Sequence, residues 1–71
     1  MIYYIQKQTA DHIVKTISKF FSSKYTDVAG IAEALQADDP LNDYRAISKA
    51  QLIKEYGHSA VSRAENDLIT F

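Results

Sequence analysis

Asp38, Asp39, Asn42 and Asp43 are the residues whose types and spacing come nearest to chemistry. Oxygen donors this dense are what a hard cation requires. The spacing fails for a calcium loop. Pro40 takes a ligand position, the central glycine is missing, and the twelfth position counted from Asp38 is Lys49 rather than a glutamate. Neighbouring carboxylates can also do acid–base work, but no cleft can be inferred around these. Other reactive types are sparse. His12 and His58 lack the spacing of a metal pair, and there is no cysteine to help them. There is no glycine-rich phosphate loop, nucleophile elbow or His-Glu-x-x-His pattern. The expectation is therefore no enzyme, no cofactor and no metal.

The charge pattern says more. The net charge of −1 hides blocks of +3 over residues 1–25, −5 over 26–43 and +1 over 44–71. The acidic block is Asp27, Glu33, Asp38, Asp39 and Asp43, with no basic residue among them. A one-sided acidic surface attracts a basic partner over long range and in a salt-sensitive way. A chain of 71 residues is one domain, 1–71. At that size it buries only roughly 60% of its unfolded surface. No apolar run is long enough for a transmembrane helix. No secretory signal precedes the first polar segment, so the cytoplasm is the expected compartment.

The elements that must position these residues are read from periodicity and punctuation. Ile2-Tyr3-Tyr4-Ile5 is aromatic and β-branched and predicts a strand. Ile13, Val14, Ile17, Phe20 and Phe21 follow helical spacing. They predict a main helix from about Ala10 to Ser22, capped by Thr9, whose apolar face would be the centre of the core. Its wet side would carry a basic stripe of His12, Lys15 and Lys19. Thr26 or Asp27 would cap a second helix running to about Ala37 through Val28, Ile31, Ala32 and Leu35, with Gly30 inside it. That glycine serves either close backbone approach or nothing in particular. Pro40 and its Asp and Asn neighbours break the chain. Tyr44 to Ile47 is a strand or a helix lead-in. Ser48 and Gln51 fit a capping box, and Ile47 and Leu52 a hydrophobic staple. A third helix is predicted from Lys49 to near Tyr56, ended by Gly57 in a left-handed conformation. Ser59 to Phe71 fits a helix or a hairpin turning at Asn66-Asp67, and the hairpin is preferred because the first strand needs a partner. The fold class is α+β, a short antiparallel sheet packed against two or three helices.

Three surfaces are candidates for function. The acidic face is Asp27, Glu33, Asp38, Asp39 and Asp43. An aromatic surface is Tyr3, Tyr4 and Tyr44, because Tyr3 and Tyr4 should point to opposite faces of a strand and expose one ring. Thirdly, the segment Gly57-His58-Ser59-Ala60-Val61-Ser62-Arg63 resembles the turn and recognition-helix start of helix-turn-helix repressors, with Lys49 to Tyr56 as the first helix. Its turn is about two residues shorter than theirs, and His58 stands where they carry an apolar residue. The resemblance implies that Ser59, Ser62 and Arg63 would face DNA, in a homodimer. The preferred reading is a non-enzymatic regulatory or inhibitory module that binds a larger protein or nucleoprotein, with the character of a small phage- or plasmid-type inhibitor, a viral protein. DNA binding is the alternative.

Overall fold

Every residue from Tyr3 to Gln6 is buried, which fixes the first strand as the middle of the molecule. A computed structural model describes residues 1–69 of the chain. In it β1 (Ile2–Gln8) lies between β2 (Val14–Phe21) and β3 (Asp43–Ser48), antiparallel to both. Helix α1 (Tyr25–Asp38) covers one face of the sheet; α2 (Lys49–Tyr56) and α3 (His58–Ile69) cover the other. The α+β class is as the sequence predicts, with three helices on a three-stranded sheet.

Side chains alternate across a strand, so β1 feeds two cores. Tyr3 and Ile5 pack with Val28 of α1, and Ile17, Phe20, Leu35, Tyr44 and Ala46 complete that cluster. Tyr4 packs with Ile47, Leu52 and Ala64, supported by Ile2, Ala60, Val61 and Leu68. Burial on both faces corrects the expectation that Tyr3 or Tyr4 would be exposed: they are 4% and 0% accessible.

The predicted main helix is a strand. Ile13, Val14, Thr16, Ile17, Phe20 and Phe21 are β-branched or aromatic, and such residues favour a pleated surface. β1 needed a partner, and this segment supplies one. A five-residue loop, Thr9 to Ile13, joins the two strands, with His12 at φ 63° and the Thr9 N–H donating to the Ile13 carbonyl at 3.1 Å. The register shifts between Ile5, opposite Ser18, and Gln6, opposite Thr16, which leaves Ile17 as a bulge. Only Ile17 and Phe20 of the expected apolar face reach a core. Ile13, Val14 and Phe21 are 61%, 48% and 77% exposed. The basic stripe dissolves with the helix: His12 lies in the loop, and Lys19 forms an ion pair with Glu65 of α3.

The predicted punctuation of α2 is present. Ser48 caps α2, its Oγ accepting the Gln51 N–H at 3.0 Å. Ile47 and Leu52, the staple pair, are buried in one cluster. Gly57 ends α2 at φ 88° and ψ 175°, a region essentially reserved for glycine. The next residue begins α3, so the preferred hairpin is a helix: Asn66 and Asp67 are helical, and the last two residues of the expected strand, Thr70 and Phe71, lie outside the described residues. Ala60, Val61, Ala64 and Leu68 give α3 a helical apolar face, and the sheet offers a surface to cover. α1 starts at Tyr25 with Lys24 in the cap position and no side-chain cap, so the cap falls two or three residues before the expected Thr26 or Asp27.

Candidate functional site

Four residues of the acidic block are exposed, and Asp39 is half-buried. Asp27, Glu33 and Asp38 all lie on the outer side of α1. Asp27 and Asp38 are eleven residues apart, three turns, so they align along the helix about 16 Å apart. Gly30, Ile31, Ala34 and Ala37 lie among them and are also exposed, which gives a small apolar strip rimmed by carboxylates. A side chain added at Gly30 would meet open space, so nothing inside the molecule requires a glycine there.

Asp39 is turned to structural use. Its carboxylate accepts from the Asn42 side chain at 2.8 Å and the Tyr44 hydroxyl at 2.7 Å. Those bonds, Asn42's first, hold the carboxyl below its ordinary range, and the hydrogen bond to Asp39 in turn raises the Tyr44 hydroxyl. Gln36 ties the same turn to the helix, donating to the Asp39 and Asn42 carbonyls and accepting the Tyr44 N–H at 2.9 Å. Asp43 opens β3 and is exposed. The expected five-residue acidic face is therefore three exposed carboxylates on α1, Asp27 and Asp38 aligned and Glu33 about a third of a turn round the helix, with Asp43 exposed on β3 and Asp39 half-buried in the braced turn between them.

The aromatic surface is not assembled. Tyr3 and Tyr4 are core residues, and Tyr44 is half-buried over Asp39. The exposed tyrosines are Tyr25, which packs its ring 5.9 Å from that of Tyr3 and donates to the Ala46 carbonyl at 3.2 Å, and Tyr56. Ser59, Ser62 and Arg63 are all exposed on α3, with Arg63 at the edge of a groove that α3 forms against the sheet. The same helix carries Glu65 and Asp67, and a single residue, Gly57, separates it from α2.

Sequence reasoning missed a polar cluster on the α2–α3 side. Gln6 and Thr16, 7% and 1% accessible, are buried polar residues of β1 and β2 and hydrogen bond to each other at 3.3 Å. Arg45 of β3 donates two hydrogen bonds to the Gln6 side-chain oxygen, from Nε at 3.1 Å and a terminal nitrogen at 2.9 Å. Its guanidinium carbon sits 5.8 Å from the centre of the Tyr56 ring. These residues come from four elements, so no spacing in the sequence signals them.

Among the described residues, no group of three or more His, Cys, Asp or Glu is placed to hold a metal, and no helix is long and apolar enough to cross a membrane. Compared with family models, curated proteins and solved structures, the chain matches none of them.

Proposed function

We propose that the chain is a non-enzymatic binding module that acts by docking the outer face of α1 on a basic surface of a larger cytoplasmic protein or nucleoprotein. One observation carries this reading: the exposed charges of α1 are Asp27, Glu33 and Asp38, all acidic, set around Gly30, Ile31, Ala34 and Ala37. A single-sign field of that kind speeds encounter with a basic partner, and the small side chains between the acids let a partner surface approach closely. The arrangement is costly to the fold in isolation. Asp38 lies at the negative pole of α1, and the last turn has no basic residue to balance it. A local rule broken without an internal compensation marks a place where function, rather than stability, set the residue. The test is to capture partners from a lysate of the source cells on the wild-type chain and on Asp27→Lys, Glu33→Lys, Asp38→Lys together. A protein held by wild type and released by the reversed chain supports the reading, and equal retention ends it.

DNA binding through α3 is the second reading, favoured by the joint exposure of Ser59, Ser62 and Arg63. Glu65 and Asp67 on the same helix weigh against it. Labelled random-sequence duplex DNA discriminates the two. Binding that weakens by orders of magnitude between about 50 mM and about 200 mM salt is the signature of phosphate contacts, and no binding at low salt removes this reading.

A further inference from the structure

We propose that the groove between the sheet and the α2–α3 pair is a binding site for a small organic oxyanion, a carboxylate or phosphate, gripped by Arg45 and Arg63. The site lies across the sheet from α1 and does not depend on the docking reading.

The groove has a volume of about 370 Å³, with Gln6, Thr16, Arg45, Tyr56, Arg63 and Asp67 among the residues that line it. That size falls within the roughly 300–1,000 Å³ of small-molecule sites. Its floor is the Thr16–Gln6 pair. Two apolar side chains of similar shape would pack there with little loss of stability, since a hydrogen bond replaced on both sides costs little. The polar pair instead orients Arg45. The Gln6 oxygen holds two adjacent N–H groups of the guanidinium, and the Tyr56 ring lies against it. A guanidinium has five N–H donors, so three remain for a ligand, already aimed.

Arg63 comes from α3 and makes no hydrogen bond or ion pair with the described residues. Asp67 is engaged, accepting the Thr16 N–H at 3.0 Å. Two guanidinium groups against one carboxylate leave a formal charge of +1 on the walls. The planar fork of arginine matches a carboxylate or phosphate with paired hydrogen bonds. Leu52, Ala60 and Ala64 supply an apolar side for the organic part. Fixed orientation in one arginine, an unused second arginine and an apolar wall together define the ligand class.

The test uses the full chain, labelled with nitrogen-15, and three probes that share one ring: phenyl phosphate, benzoate and phenol. Expected are saturable shifts of the Arg45 and Arg63 Nε–H signals with phenyl phosphate or benzoate, and none with phenol. The tighter of the two anions identifies the oxyanion. Arg63→Gln should weaken binding by about tenfold or more, the value of a charge-assisted hydrogen bond, while the melting temperature stays unchanged. Arg45→Gln is the second variant, and the Arg63→Gln result stands alone if that one fails to fold. No shift at either arginine with both anions, an equal response to phenol, or undiminished affinity in Arg63→Gln would overturn the proposal.

Discussion

The Tyr4 hydroxyl at the centre of the sheet donates to the Glu65 carboxylate of α3 at 3.2 Å, and the Lys19 ammonium of β2 reaches the same oxygen. One carboxylate thus ties together residues from three elements, two of them 61 positions apart in the chain. Lys19 contributes most to holding Glu65 below its ordinary value of 4.5, and burial, helped by the Glu65 charge, pushes Tyr4 from 10.0 up to about 12.

These shifts set a pH window. A carboxyl lowered in the folded state adds stability above its ordinary value and loses it as the pH falls through the folded value. A tyrosine raised in the folded state adds stability below 10 and loses it as the pH climbs toward about 12. Glu65→Gln should therefore be less stable than wild type across the neutral range. The gap should close below the ordinary value of 4.5. It should shrink again above 10, where Tyr4 ionises beside a Glu65 charge that the variant lacks. Urea denaturation at a series of pH values measures this, and a gap independent of pH would mean that the tie is only packing.

The two-sided core predicts an asymmetry between β1 and β2. Ile5→Ala removes a fully buried side chain from the α1 cluster and should cost roughly 2–5 kcal/mol. Phe21→Ser changes a residue 77% exposed at the end of an edge strand and should stay within about 0.5 kcal/mol of wild type. Chemical denaturation of both decides the matter. Similar large losses would restore Phe21 to the core, where helical spacing had put it.

The α2 boundaries should be equally measurable. Ser48→Ala deletes the oxygen that accepts the Gln51 N–H and should cost about 1 kcal/mol. Gly57→Ala forces a Cβ into φ 88°, ψ 175° and should cost about 1–3 kcal/mol. Thermal unfolding of the two variants checks both, and the glycine change should be the more severe.

The outer face of α1 should be easy to stabilise. Gly30→Ala meets open space and should add about 1 kcal/mol. Asp38→Lys exchanges an acid at the negative helix pole for a base and should add about 0.3–1 kcal/mol. If the face is a docking surface, both changes should also weaken partner capture. A gain in stability with capture intact would leave these positions without a function.

Legibility followed the range of the interaction. The α2 start was readable because Ser48, Gln51, Ile47 and Leu52 act within one turn. The acidic surface of α1 is legible in part, because Asp27, Glu33 and Asp38 share one helix, whereas the engagement of Asp39 depends on Tyr44. β2 was misread because its apolar positions fit helical spacing while their branched and aromatic types favour a strand. The bulge at Ile17 breaks the period of two that would have settled it. Likewise α3 lost to a hairpin because β1 needed a neighbour, and the neighbours it has are β2 and β3. The polar groove was invisible, since Gln6, Thr16, Arg45 and Tyr56 meet only when the sheet and α2 have assembled.

If α1 presents the binding surface, a basic ligand should leave its footprint there. A lysine-rich peptide would be titrated into the nitrogen-15-labelled chain at about 50 mM and about 500 mM salt, conditions that span weak and strong screening. Backbone shifts should centre on the exposed positions between Asp27 and Asp38 at low salt and vanish at high salt. Shifts centred on Glu65 and Asp67, or none at low salt, would contradict the assignment of α1 as the docking face.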